Sequence, residues 1–310
     1  MINFIIKRLL IAIPTMFSIV LLVFLLVHAT PGNPFDSEKA LSPEVMKQLL
    51  HQYHLDLPLW KQFFLYVNDL LHGNLGVSYK FIGQSINSLI FPDNMGGFWV
   101  TLRLASYSMV ITVPLGIVIG CYSGLNRNSW FDRIIVASNM IFSAIPTIVT
   151  GPLMVLIFAV TMGVLPASGW GDGGFQNLCL PVLALTLAYL PTVTVVTRGS
   201  IIDVLNSNFI RTARSKGLPT SKIIFKHAIR PTLIPVLSLL GPMFAGVLVG
   251  AIVTEQVFAL PGLGILTTNG ATNRDYNLVL GITIFGSFLM IIFNFLVDIV
   301  YFFLDPKIKQ

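Results

Sequence analysis

Six stretches of this sequence run for 22 residues or more without a single Asp, Glu, Lys or Arg: 9–35, 104–126, 134–171, 173–197, 231–254 and 276–297. A helix needs about 20 apolar residues to cross the hydrocarbon core of a bilayer, so each stretch can hold one span. Within that core every backbone N–H and C=O must be bonded inside the segment, which makes the helix the form such stretches take. Composition agrees: only 10% of the 310 residues are charged and 55% are hydrophobic, whereas soluble domains carry about 25% charged residues. The fold class is therefore an all-α integral membrane protein with six transmembrane helices. The stretch 134–171 ends in Gly163-Val164-Leu165-Pro166-Ala167-Ser168-Gly169-Trp170-Gly171, which is turn chemistry. One span to about Met162 is expected there, bent by Pro146 and Pro152. The stretch 256–273 is shorter and rich in Gly, Thr and Asn, and is expected to be a loop.

Charge sets an orientation. With the N-terminus inside, the inner segments hold Lys7, Arg8, Arg127, Arg133, Arg198, Arg211, Arg214, Lys216, Lys222, Lys226, Arg230, Lys307 and Lys309, which is 13 of the 19 basic residues. That asymmetry follows the positive-inside rule and puts both termini in the cytoplasm. It also accounts for the net charge of +6 without a nucleic-acid partner. The run from Leu9 to Val27 exceeds the 7–15 residues of a signal h-region, so an uncleaved first span is expected. The expected organisation is a first helix over 1–30, an outer segment over 31–98, a five-helix core over 99–303 with an inner loop over 199–231, and a tail over 304–310.

The outer segment carries its own helical signals. Pro31-Gly32-Asn33-Pro34 ends the first span. Ser42-Pro43-Glu44 looks like a helix start with Ser as N-cap, and Val45, Leu49 and Tyr53 follow at four-residue spacing. A second helix is expected from Pro58, with Trp60, Phe63, Phe64, Val67, Leu70 and Leu71 on one broad face. Two uses fit these helices: a cap packed on the membrane domain, or a docking and gating element.

Catalytic chemistry has no visible seat. There is no Gly-x-x-x-x-Gly-Lys-[Ser/Thr] loop for ATP phosphates, no His-Glu-x-x-His and no Gly-x-Ser-x-Gly. His51 and His54 lack a ligand set. Cys121 and Cys179 sit in separate apolar stretches without metal spacing and are expected to be core residues. Ionisable residues inside the spans are scarce, which argues against a proton relay. Any path is left to neutral polar groups such as Ser106, Ser108, Ser143, Thr147, Thr186 and Thr194, although in spans these more often bond their own backbone.

One basic stretch, Arg198 to Arg230, separates two spans. Residues 200–216 are expected to form a helix, ended at Gly217 because glycine tolerates the left-handed conformation. Leu218-Pro219-Thr220 makes a turn, Thr220 or Ser221 caps a second helix over 221–230, and Pro231 opens the next span. Seven cations, Arg198, Arg211, Arg214, Lys216, Lys222, Lys226 and Arg230, face Asp203 alone. Orientation and anionic lipid headgroups both suit this charge. The small residues Ala213 and Gly217 and the turn at Pro219 add a knob that neither requires, and it suits a soluble partner.

Asn208-Phe209-Ile210-Arg211-Thr212-Ala213-Arg214-Ser215-Lys216-Gly217-Leu218-Pro219 resembles the cytoplasmic coupling loop of bacterial oligopeptide and dipeptide ABC-importer permeases. The resemblance covers essentially the whole chain. It includes Pro31-Gly32-Asn33-Pro34, Leu55-Asp56-Leu57-Pro58-Leu59, Gly73-Asn74-Leu75-Gly76-Val77-Ser78-Tyr79 and Leu165-Pro166-Ala167-Ser168-Gly169-Trp170. Phe258-Ala259-Leu260-Pro261-Gly262-Leu263-Gly264, Asn273-Arg274-Asp275-Tyr276 and Asp305-Pro306-Lys307 continue it. Within the family the pattern looks most like the B-type oligopeptide subunit. The resemblance implies a type I importer permease fold in a bacterial cytoplasmic membrane. It implies a second permease subunit beside this chain and two ATP-binding subunits below, which carry ATP and Mg, with no cofactor on this chain. An extracytoplasmic peptide-binding protein would deliver cargo, and surrounding lipid would seal the spans. It further implies that Arg211, Thr212, Ala213, Arg214, Ser215, Lys216, Gly217, Leu218 and Pro219 couple to an ATPase. General importers carry Glu-Ala-Ala, then three residues, then the glycine; here Arg211-Thr212-Ala213 replaces the triplet, so no salt bridge carries over from that glutamate.

Other readings stay open at the level of sequence. The same machine could carry dipeptides, glutathione, nickel chelates, cationic peptides or polyamines. A secondary transporter on an ion gradient predicts inverted repeats, and no convincing repeat is visible. A membrane scaffold that transports nothing is a third class.

Overall fold

The computed structural model describes residues 2–30, 43–81, 83–93 and 96–304. Pro31-Gly32-Asn33-Pro34, Ser42 and Asp305-Pro306-Lys307, together with Lys309, lie outside these residues. The helices are α1 (Ile2–Ala29), α2 (Pro43–Gln52), α3 (Leu59–Leu71), α4 (Ile86–Ile90), α5 (Phe98–Leu125), α6 (Trp130–Ala144), α7 (Thr147–Thr161), α8 (Phe175–Leu205), α9 (Asn208–Ser215), α10 (Thr220–Val257), α11 (Leu263–Thr272) and α12 (Tyr276–Leu304). By length and composition α1, α5, α8, α10 and α12 can each cross a membrane, and α6 with α7 makes a sixth if the bent pair is one span. Five of the six expected spans are therefore single helices, and the stretch expected for the third holds the bent pair.

Their details differ from expectation in four places. The third span is broken rather than curved: α6 and α7 meet at 101°. The break falls at Ile145-Pro146, where proline pushes the preceding residue out of the helical region, and Ile145 has φ −88° and ψ 116°. Pro152 does not interrupt α7, which relaxes to π-helical bonding over Val155–Thr161. Second, the helix expected over 200–216 is two helices, since α8 runs on to Leu205 and α9 starts at Asn208 after a joint at Asn206-Ser207. Third, Pro231 opens nothing. Helix α10 is continuous from Thr220, and the π-turn over Ile223–Ala228 just before Pro231 loosens the turn that the ring would otherwise strain. Fourth, the loop expected over 256–273 contains α11, started by Pro261-Gly262 and packed through Gly270, where a Cβ would lie 3.0 Å from Val279.

The chain divides into two compact units. One comprises Ile2–Thr101 and Pro261–Ile291. Here Val20 and Phe24 of α1, Phe63 and Tyr66 of α3, and Leu280 and Ile284 of α12 form a buried cluster. Only part of the predicted α3 face is used: Phe63 is buried, whereas Trp60, Phe64 and Leu71 are exposed, and Tyr66 is buried in their place. The His28 ring stacks on Phe24 at 4.0 Å, with Nε2 3.2 Å from Gln62 Oε1. Asp275, buried just before α12, accepts hydrogen bonds from the Ser78 hydroxyl, from Tyr79 N at 3.1 Å, from Lys80 N at 3.3 Å and from Leu278 N at 3.2 Å. That one carboxylate pins the turn after Gly76 to the start of α12.

The other unit comprises Leu102–Leu260 and the residues from Ile292 onward. Its backbone approach is set by glycine. Gly116, Gly120 and Gly124 line one face of α5 at four-residue spacing, against Val193, Thr194, Thr197 and Ile201 of α8. Small residues at helix interfaces let backbones come close where lipid supplies no hydrophobic drive. A Cβ on Gly120 would lie 2.6 Å from the Thr194 carbonyl oxygen, and one on Gly124 2.2 Å from Ile201 Cγ2. Because backbone cannot yield as a side-chain tip can, Gly120→Val is expected to cost about 1–3 kcal/mol, the usual scale of overpacking. A lowered melting temperature of the purified protein in detergent checks this; an unchanged one would refute the close packing.

The polar groups proposed for a path divide in two. Ser108 and Ser143 bond the carbonyls of Ala105 and Met140 on their own helices. Thr186 and Thr194 are buried without a hydrogen-bond partner, as are Thr112 and the Asn139 amide nitrogen. Cys121 and Cys179 are free thiols that are only partly buried, rather than the core residues expected.

Candidate functional site

The basic stretch folds into an elbow with a defined inside and outside. Inside, Ile210 and Ala213 of α9 pack with Ile201 of α8 and with Ile223 and Ala228 of α10, and Leu218 lies partly buried against them. Burying an isoleucine side chain is worth about 1.5–3 kcal/mol, so these few contacts suffice to hold a short helix down. Helix α9 has only eight residues and would be marginal alone. Ser200 adds a cross-tie by donating to the Thr232 carbonyl at 3.0 Å.

The corner itself is a Schellman motif. Leu218 N donates to Ala213 O at 3.3 Å and Gly217 N to Arg214 O at 2.9 Å. These are the 6→1 and 5→2 bonds that close a helix on a left-handed residue. Gly217 supplies that residue, with φ +72° and no atom within 4 Å of where a Cβ would stand. The role read for Gly217 from sequence is thus filled in detail.

The predicted coupling residues are brought together but do not share one face. Arg211, Thr212, Arg214, Ser215, Lys216, Gly217 and Pro219 are exposed, Leu218 is partly buried, and Ala213 is buried. Ala213 is small because it faces the helices beneath, not because it tips a knob. The Thr212 and Ser215 hydroxyls turn back onto the carbonyls of Asn208 and Arg211. The outer face is therefore cationic: among the described residues Arg211, Arg214, Lys216, Lys222, Lys226 and Arg230 have no ion-pair partner. Phe209 and Phe225 stand exposed among them, at 49% and 75%. The outer face of the elbow thus carries unpaired charge and two exposed rings.

Arg198 does not belong to that face. Its Nε and Nη2 donate to Oδ1 and Oδ2 of Asp132, each at 2.7 Å. Arg198 Nε also reaches Ser123 Oγ at 3.1 Å, and the Ser123 hydroxyl donates to Asp132 Oδ1. Sequence reading missed this cluster by counting Arg198 with the free cations. One local sign was present: Ser129-x-x-Asp132 has the form of a capping box, and Ser129 Oγ accepts from Asp132 N at 3.2 Å. Among the described residues no group of His, Cys, Asp and Glu could hold a metal.

Residues 113–310 match the family model for the binding-protein-dependent transport system inner membrane component, and residues 1–85 match the model for its N-terminal part. The chain is 47% identical to the oligopeptide transport system permease protein OppB of Haemophilus influenzae and 43% identical to that of Escherichia coli, each over the full length of both chains. It is 33% identical to the dipeptide transport system permease protein DppB of Lactococcus lactis, again over both full lengths. Among solved structures, an amino acid ABC transporter superposes with a TM-score of 0.53 at 17% identity, covering 65% of this chain and 89% of that one. The MetNI methionine ABC transporter, in inward-facing form, gives 0.52 at 19%, covering 68% and 95%. At those identities the likeness speaks for the fold, which is that of ABC-transporter permeases. With full-length identity to its relatives and a family model over most of its length, this multi-pass chain belongs to the inner membrane components of binding-protein-dependent transport systems.

Proposed function

We propose that this chain forms one half of the path of an oligopeptide importer and takes its drive from cytoplasmic ATPase subunits through the elbow at Arg211–Pro219. The observation that carries the coupling is the elbow: a closed Schellman corner whose buried side is anchored to α8 and α10 and whose exposed side is cationic and unpaired. The chain itself does no chemistry on ATP; ATP and Mg sit on two partner subunits. A second permease subunit completes the path, and an extracytoplasmic binding protein brings the peptide. The N- and C-termini face the cytoplasm, as the distribution of Lys and Arg supports. Oligopeptide rather than dipeptide cargo is supported by identity, 43–47% to relatives named for the former against 33–36% to those named for the latter.

The test is uptake of a labelled oligopeptide by proteoliposomes holding the whole assembly. Uptake is expected to require ATP on the elbow side and binding protein on the other. Uptake driven by a proton or sodium gradient without ATP would overturn the proposal.

A further inference from the structure

We propose that Asp132 and Arg198 are positioning residues that tie the elbow's movement to α5 and α6, so that α5, α6 and α8 shift as one body during transport. This rests on the reading of the elbow as the point of drive.

The elbow's first anchor is the end of α8, since Ile201 belongs to the cluster that holds Ile210 and Ala213. One turn back along α8, Arg198 grips Asp132 through two parallel bonds. That fork-to-fork geometry fixes direction as well as distance, which a single-point ammonium contact does not. Asp132 is in turn held from the α5–α6 connection: Ser123 at the end of α5 donates to Oδ1, and Asn128 N donates to Oδ2 at 2.9 Å. The carboxylate is only 4% exposed, so its oxygens are shielded, while the Arg198 side chain stays 25% exposed. One carboxylate thus joins the last turn of α5, the first turn of α6 and the elbow-bearing end of α8.

A steric contact reinforces the electrostatic one. Gly124 meets the same Ile201 that anchors the elbow, and Gly120 and Gly116 continue the close approach up α5. Packed interfaces of this kind pass displacement between discrete arrangements rather than absorb it. No comparable ion pair is seen for the elbow's outward cations among the described residues. The pair is therefore the charged link from the elbow's carrier helix to α5 and α6.

The experiment measures peptide uptake and phosphate release on the same proteoliposomes, using the full assembly with Asp132→Asn, Arg198→Lys and Gly217→Pro in this chain. Asp132→Asn keeps size and one acceptor oxygen but loses the charge, and it puts an N–H donor where the second oxygen accepts. It is expected to co-purify with its partner subunits and keep hydrolysing ATP, while uptake per ATP falls about tenfold, the scale of a lost coupling contact. Arg198→Lys, which keeps charge but loses the fork, is expected to fall between it and the native protein. An unchanged ratio in Asp132→Asn, or uptake and hydrolysis falling in proportion, would overturn the tie and leave the pair as a stabiliser of the fold. If Asp132→Asn fails to assemble, Arg198→Lys decides on the same criterion. If Gly217→Pro keeps the native ratio, the elbow reading itself fails; if it uncouples while both pair variants do not, only the tie fails.

Discussion

Replacing Gly217 with proline is expected to bring ATP-dependent uptake down to the level of vesicles without transporter. Proline holds φ near −65°, whereas position 217 requires +72°. Proline also removes the N–H that bonds Arg214 O. Both bonds of the corner are then lost, and Leu218 has no reason to stay against Ile201 and Ile223. Gly217→Ala separates the two causes. It keeps the N–H and meets no atom, so only the cost of a left-handed L-residue remains, about 1–2 kcal/mol, and a partial loss of uptake is expected. Membrane insertion survives in both, because the corner lies outside the apolar stretches. The readout is uptake set against phosphate release, with the amount of inserted protein measured alongside. Native uptake by Gly217→Pro would show that the corner is not where drive enters.

The second large effect is on stability. Asp275→Ala removes the acceptor shared by the Ser78 hydroxyl and the amides of Tyr79, Lys80 and Leu278, of which Lys80 N keeps Ser78 Oγ at 3.2 Å. Each buried donor left unmet costs about 1–3 kcal/mol, and the shared acceptor makes the losses simultaneous. The turn after Gly76 should then part from the start of α12. Burial, with the Asp275 carboxylate second, also holds the Tyr79 phenol above its usual range, so this ring is not an alternative anion for the site. A markedly lower melting temperature in detergent is expected, together with protease cleavage within residues 76–81. Asp275→Asn, which keeps one of the two acceptor oxygens, should lose less. Equal loss in both would mean that a single remaining acceptor oxygen does not hold the turn.

The spans were legible in the sequence because a bilayer demands long uncharged runs and little else produces them. The elbow's corner was legible because Gly217 followed by Leu-Pro is a local signal. What escaped was set by contacts distant in sequence. Arg198 looked like the end of a span, so α8 was cut short of Leu205; its charge is neutralised by Asp132, 66 residues away, and nothing near Arg198 announces this. Helix α11 escaped because Gly, Thr and Asn disfavour helix, a preference that packing of Gly270 on Val279 outweighs. On α3, spacing chose Trp60 and Phe64 for burial, yet Tyr66 lies under Phe24 of α1. Periodicity marks an apolar face but not which part another helix will cover.

The distance between Asp132 and Arg198 along the chain also orders the protein's manufacture. Helix α6 has fifteen residues, about 22 Å, too short to cross a core of about 30 Å by itself. A nascent chain that has produced α6 and α7 still holds Asp132 without the guanidinium fork of Arg198, beside a helix broken at Pro146. Only when α8 has been synthesised does Arg198 arrive. The bond between the third span and the fourth therefore forms only after α8 has been made.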